Sequence, residues 1–576
     1  MPDSVASEGP LQVLRSLFED RFFQLVFVVL VPLLFIAGWR NAEALNPDGI
    51  AYMRIAEYWA EGNPDLAISA YWGPLLSWIM VPFVKGGMDV MMAARYAMGL
   101  SGLLFFLGCG FLFRCVGISR QGWQWGLGLA AGYAVFWSIR NVTPDLLLSG
   151  LTAFGLGSAL GTFRSSDRRW ALFGGAAWGL AYLAKAVALP WGAFIYVGLL
   201  ALLLLSRNLK PGWMKQAGWT VAGVLVLSAP WMGVLSSHEG SFVFSTSGGI
   251  NHAIAGPPDV ERYHYFARSF HDPGERRVTS WEDPDPKAYH PWSPFENRDY
   301  LAHQAKVVAT NVPRILVLFG GINLVLIANS GGEIDPSQLP ALIPGFDLFY
   351  LLALALGWTA WQGTRKRLSL DQSVLLLSLI LLVAFYLPMF LLPFEQRYFY
   401  PVFPICWILF WTGFEALMER FRDRVPVQFW LGRVGISSWI LPVVIWLMAA
   451  LVGIPNAASY HSDRLAKAFR ENGIDGTLAG SALMQGGRAG LYLAFHLGQP
   501  WCGDDPDASE EDIYQSSADW IVVVRGSSRA RMLDASPRWA SADGLLRTSD
   551  WNPENEVLQV FGRVRQDPGS VANPIR

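Results

Sequence analysis

The chain has 576 residues, of which 52% are hydrophobic and only 16% charged, and its formal net charge is -2. Soluble domains carry about 25% charged residues, so this composition excludes an ordinary soluble globular protein, and the near-neutral charge gives no reason to expect nucleic acid as a partner. Four cysteines, Cys109, Cys115, Cys406 and Cys502, have neither a disulfide-framework spacing nor a zinc spacing.

A helix needs about 20 mostly apolar residues to cross the hydrocarbon core of a membrane. The first such run, 22–39, follows Arg15 and Arg21, and Ala42-Glu43-Ala44 resembles a signal-peptidase site. The run is longer than an h-region of about 7–15 residues, and it reads as an uncleaved span. Further spans are predicted over 95–113, 122–138, 146–163, 170–186, 188–205, 217–234, 346–362, 373–392, 399–418 and 435–454, about eleven in all. Two more runs, 74–84 and 313–328, are short or bracketed by Pro and Gly, and are expected to be interfacial or re-entrant.

Lys and Arg gather in alternate connections: Arg114 and Arg120; Arg164, Arg168 and Arg169; Arg207, Lys210 and Lys215; Arg365, Lys366 and Arg367; and Arg420, Arg422, Arg424 and Arg433. Positive charge marks the cytoplasmic side. That puts the N-terminus inside, and it puts the connections 40–94, 139–145, 235–345 and 393–398 outside with the tail. The expected fold is a polytopic α-helical membrane domain, 1–455, with a soluble extracytoplasmic α/β domain, 456–576. In the tail, 465–471 and 488–497 read as helices and 476–480 and 520–524 as strands. The long segment 235–312, which contains Ser245-Thr246-Ser247-Gly248-Gly249, is expected to cover a cavity and to help select an acceptor.

Polar residues that membrane insertion does not explain lie on the outer side. Asp48, in Asn46-Pro47-Asp48-Gly49, reads alone as a helix cap or a solvated acid. Its chemical reading is a general base, which needs a hydroxyl proton within hydrogen-bond reach. Asp145, in Thr143-Pro144-Asp145, opens a span, where the helix N-terminus favours an acid. Lys185 stands between apolar runs, either snorkelling to the interface or meeting a phosphate just inside it. Arg397 enters a later span as a headgroup anchor paired with Glu395, or as a planar fork suited to phosphate. Two acids and two cations from separate segments therefore meet at one face, as an anionic lipid headgroup and a reacting hydroxyl would require.

These motifs resemble the GT-C superfamily of glycosyltransferases, in the branch of the lipid A aminoarabinose transferases and protein O-mannosyltransferases. The resemblance rests on Asp48-Gly49 with Tyr52, and on Tyr71-Trp72-Gly73-Pro74 ahead of a short apolar run. It continues in Thr143-Pro144-Asp145, in Leu183-Ala184-Lys185, and in Gln396-Arg397-Tyr398 followed by Pro401 and Pro404, over residues 20–420. It implies an inverting transfer of a sugar from a polyprenyl-phosphate donor to an acceptor (lipid, glycan or protein) on the outer face of the cell membrane. By that resemblance Asp48 is the base and Asp145 a second acid, while Lys185, Arg397 and Tyr398 hold the donor phosphate. Tyr52, Tyr71, Arg140 and Glu395 join as substrate contacts. No cofactor is expected, although two acids on one face leave room for a divalent cation.

The first loop carries a single acid where protein O-mannosyltransferases have an adjacent pair, and this counts against a protein acceptor. The Trp-Trp-Asp motif of oligosaccharyltransferases is missing. The rival reading is a transporter or flippase for a lipid-linked or anionic substrate, which commonly shows internal repeats; none is evident.

Overall fold

The computed structural model describes residues 9–165, 167–205, 211–257, 269–270, 273–276, 278–319, 369–388, 396–420, 443–444, 447–448, 450–453, 456–480, 483–484, 487–504 and 509–564. Helix α1 (Pro10–Glu19) leads into α2 (Arg21–Arg40). Asp20 caps α2 by accepting from the Phe22 and Phe23 amides at 3.0 and 3.2 Å, and its other oxygen takes Arg120 at 3.1 Å. Then come α3 (Pro47–Glu61), α4 (Leu75–Lys85), α5 (Val90–Val116), α6 (Arg120–Arg140), α7 (Asp145–Arg164), α8 (Arg168–Ala184), α9 (Ala188–Leu205) and α10 (Trp213–Glu239). After them follow α11 (Ser247–Ile254), α12 (Arg298–Phe319), α13 (Leu370–Tyr386) and α14 (Val402–Arg420).

Among the described residues, α2, α5, α7, α9 and α10 are long and apolar enough to cross a membrane, by length and composition. The predicted runs 122–138, 170–186, 373–392 and 399–418 fall on α6, α8, α13 and α14. The run 346–362, and most of 435–454, lie outside the described residues. The run 74–84 forms α4, whose 11 residues are too few to span. Of the run 313–328, expected to be interfacial or re-entrant, residues 320–328 lie outside the described residues. Residues 313–319 end α12, a helix that already starts at Arg298 and passes through Pro313. A hydropathy window misses its polar first half, which is held by side chains. Gln304 donates to the Pro388 carbonyl at 3.2 Å, and Asn311 donates to the Leu387 carbonyl at 2.8 Å.

Helix α7 is buried along nearly its whole length. It lies against α5 through glycines. A Cβ on Gly108 would stand 2.4 Å from the Gly150 carbonyl oxygen, and one on Gly150 would stand 2.7 Å from that of Leu104. Small residues let helix backbones approach this closely, and the packing fixes the height of Asp145 at the end of α7. The segments on either side are clamped as well. Asn46 Oδ1 accepts from the Val142 amide at 2.8 Å. The buried Arg95 donates to the Ile139 carbonyl at 2.8 Å and to the Ala44 carbonyl. Asp48 and Asp145 are thus brought together by backbone contacts made just before each of them.

Residues 456–564 form an α/β unit with α15 (Ala457–Glu471) and α16 (Ala489–Leu497). The helix expected at 465–471 begins eight residues earlier, where Asn456 caps it by accepting from the Ser459 amide at 2.9 Å. Strands β2 (Leu478–Gly480), β4 (Trp520–Val524), β5 (Trp539–Ser541) and β6 (Leu558–Arg563) make one sheet in the order β2-β4-β6-β5. Only the β2–β4 pair is parallel. The unit sits on the loops of the helical part. Asn456 donates to the Leu45 carbonyl at 2.8 Å, and the Trp501 amide donates to the Val278 carbonyl at 2.6 Å. The short strand β1 (Ser269–Phe270) pairs with β3 (Gly503–Asp504).

The segment after β1 is anchored by a buried acid. Glu282 is fully buried; it accepts from the Tyr58 hydroxyl at 2.6 Å and from the Thr279 amide at 3.2 Å, with Arg54 Nε at 4.0 Å. Burial pushes the Glu282 carboxyl above its ordinary value, and the Arg54 guanidinium and the Tyr58 hydrogen bond oppose that rise. Beside it the Trp72 indole donates to the Trp281 carbonyl at 2.9 Å. The segment around Glu282 therefore has a polar core of its own, built on α3.

Candidate active site

Where the N-terminal end of α7 and the C-terminal end of α8 meet α3 and α11, the chain encloses a cavity of about 490 Å³. Asp48, Tyr52, Tyr71, Asp145, Lys185, Arg397 and Tyr398 all line it. Each acid meets a cation. Lys185 Nζ lies 2.6 Å from Asp145 Oδ1, and Arg397 Nη2 lies 2.7 Å from Asp48 Oδ2. The Tyr398 ring backs both cations, 4.4 Å from Lys185 Nζ and 5.3 Å from Arg397 Cζ. A cation over an aromatic face is favoured electrostatically, so the ring holds both charges toward the cavity.

Local sequence explains each placement. Pro47 starts α3 one residue before Asp48, because its fixed φ and missing N–H suit a first helical turn. Asp145 is the first residue of α7, where an acid complements the helix dipole. Lys185 is the extended residue that ends α8, and α9 resumes at Ala188. It stands in the break between two helices rather than within a span, so its ammonium reaches polar surroundings. Arg397 and Tyr398 sit on the short 3-10 turn Gln396–Phe399.

Gly73 holds the break against the aromatic segment. A Cβ there would lie 2.3 Å from the Ala184 carbonyl oxygen and 2.6 Å from that of Leu183. Only glycine lets the chain of Tyr71-Trp72-Gly73-Pro74 lie along the end of α8. Burial, helped by the carboxylates of Asp145 and Asp48, pushes the Tyr52 phenol well above its ordinary value. The Tyr52 hydroxyl is accordingly held in the protonated form.

Two predicted contacts stand differently. Arg140 does not line the cavity; its guanidinium lies over the rings of Phe136 and Trp137, on its own helix, at 6.0 and 5.7 Å. As the last residue of α6, it follows that helix's surface instead of the loop. Glu395 lies outside the described residues. No group of three or more His, Cys, Asp or Glu is placed to hold a metal among the described residues.

The site also has residues that the sequence reading left unassigned. Thr143, Ser245, Ser247, Asn251 and Tyr386 line it. Ser247 and Asn251 come from α11, which is tied down by the Thr246 amide donating to the Ala70 carbonyl at 2.9 Å. The run 245–249 lies in the segment expected to cover the cavity, but the sequence does not show which of its residues line it. Tyr386, at the end of an apolar helix, gave no signal at all.

Among solved structures, the chain is similar to ArnT from Cupriavidus metallidurans bound to undecaprenyl phosphate. The TM-score is 0.54 at 15% identity, covering 94% of this chain and 98% of that one. It is also similar to the archaeal oligosaccharyltransferase AglB from Archaeoglobus fulgidus, in complex with an inhibitory peptide and a dolichol-phosphate. There the TM-score is 0.51 at 10% identity, covering 88% of this chain and 70% of that one. The chain has the GT-C fold. No protein-family model matches the sequence, and no curated protein matches it. Within the GT-C fold, a cavity with two acids and two cations can hold a phosphate on the cations while a carboxylate takes a proton.

Proposed function

We propose that this chain is a membrane glycosyltransferase that moves a sugar from a polyprenyl-phosphate donor to a hydroxyl acceptor at the extracytoplasmic face. One observation carries the reading: four widely separated segments deliver two acid–cation pairs to a single cavity of about 490 Å³. The fold shared with ArnT, whose structure holds undecaprenyl phosphate, supports a lipid-phosphate donor.

In this reading the donor phosphate meets Lys185 and Arg397; Asp48 is released from Arg397, while Asp145 stays paired with Lys185. The acceptor oxygen attacks the anomeric carbon from the face opposite the phosphate. The new C–O bond forms as the bond to the phosphate oxygen breaks, and the hydroxyl proton passes to Asp48. The two cations neutralise the charge that grows on the departing phosphate, which is the electrostatic contribution such sites make. Attack from the opposite face inverts the anomeric configuration. Residues 456–564 and the segment around Glu282 cover the site from outside the membrane. Asp48→Asn should abolish transfer and retain binding of polyprenyl phosphate. Full activity in that variant would remove Asp48 as the base.

A further inference from the structure

We infer that Asp145 is the group with which this cavity reads the transferred sugar, and that the sugar it takes offers a hydrogen-bond donor and is not an acid. The inference rests on the proposed glycosyl transfer. Asp145 is 1% exposed yet lines the cavity. One oxygen, Oδ1, takes Lys185 at 2.6 Å, while the other, Oδ2, is buried and makes no hydrogen bond among the described residues. An ionised carboxylate only accepts, and a buried acceptor left unmade is costly. The ligand that completes this oxygen therefore brings an O–H or N–H.

A phosphodiester cannot do so, because its oxygens are acceptors too. The phosphate belongs with the cations, and Asp145 meets the next part of the donor. Lys185 sets that distance: the ammonium that faces the phosphate also holds Asp145. The group nearest the phosphate in a glycosyl phosphate is the sugar ring. A uronic acid would place a second carboxylate against Asp145, and like charges in a closed site repel. The α11 side agrees. It presents uncharged Ser247 and Asn251, with the Tyr71 hydroxyl donating to Asn251 Oδ1 at 3.4 Å, which suits the hydroxyls of a neutral ring.

The test is a cycle between Asp145→Asn and the donor, with full-length protein in lipid. Undecaprenyl-phosphate donors would carry a neutral pentose or hexose, each mono-deoxy form of it, an amino sugar, or a uronate. The variant should lose about 10- to 100-fold in kcat/KM on the parent donor. That loss should vanish against the one deoxy donor that lacks the hydroxyl Asp145 holds, or against removal of the amine if the amino sugar is preferred. Binding of sugarless undecaprenyl phosphate should not weaken, since the change frees Lys185 for the phosphate, and retained binding also shows that the variant is folded. An equal loss on every deoxy donor, a matching loss for the sugarless lipid, or preference for the uronate would overturn the assignment. Wild-type protein that transfers from no donor would instead overturn the transferase reading, and this inference with it.

Discussion

Replacing Gly73 by alanine tests how the site is positioned. The added Cβ would stand 2.3 Å from the Ala184 carbonyl oxygen, where ordinary contact begins at 3.4 Å, so backbone has to yield by about 1 Å. Neither neighbour is the flexible end of a side chain. Overpacking of this kind costs about 1–3 kcal/mol. The strain falls on the end of α8, one residue before Lys185, and shifts that ammonium relative to Asp145. A misplacement of about 1 Å near the chemistry costs about 100-fold in rate. Gly73→Ala should thus lower the thermal unfolding midpoint modestly, and transfer far more than stability alone explains. Gly128→Ala is the control, because a Cβ there meets nothing within 4 Å. Nanodisc-embedded protein, assayed by thermal unfolding and by transfer, separates the two effects. If Gly73→Ala behaved like Gly128→Ala, the close approach would not be what sets Lys185.

Two further outcomes follow from buried polar groups. Glu282→Ala removes the acceptor of the Tyr58 hydroxyl and one partner of Arg54; breaking such a buried pair costs about 3–5 kcal/mol, to be read by thermal unfolding, with Glu282→Gln costing less because its amide oxygen still accepts from Tyr58. His496, pushed below its ordinary value chiefly by burial, favours the neutral ring in the folded state. Its contribution to stability is present above pH 6.5, the ordinary value, and is lost as pH falls through the lowered folded value. The midpoint of the wild-type chain should drop more than that of His496→Gln between pH 7.5 and pH 5.5 (about one unit either side of an ordinary His).

Much of the helical part was legible because membrane insertion writes long apolar runs into sequence. The runs at 95–113 and 146–163 correspond to α5 and α7. Asp48, Asp145, Lys185 and Arg397 were legible for the converse reason: a charge beside an apolar run is costly, so it draws attention. Their pairing was not. Nothing in the spacing shows that Asp145 takes Lys185 while Asp48 takes Arg397, because α5–α7 glycine packing and the Asn46–Val142 clamp set those distances. Arg140 stands apart from the cavity for a related reason, since a loop position in sequence became the last residue of a helix. The α12 start at Arg298 and the buried Glu282 were hidden because a polar stretch with local caps reads as solvated loop.

The most direct test of the account is a transfer assay with purified wild-type protein in lipid, offered a panel of radiolabelled polyprenyl-phosphate sugars. The account predicts that label leaves the lipid for an acceptor or for water, and that the product has inverted anomeric configuration. Label that stays on the lipid with every donor, while the lipid itself crosses between leaflets, would contradict it.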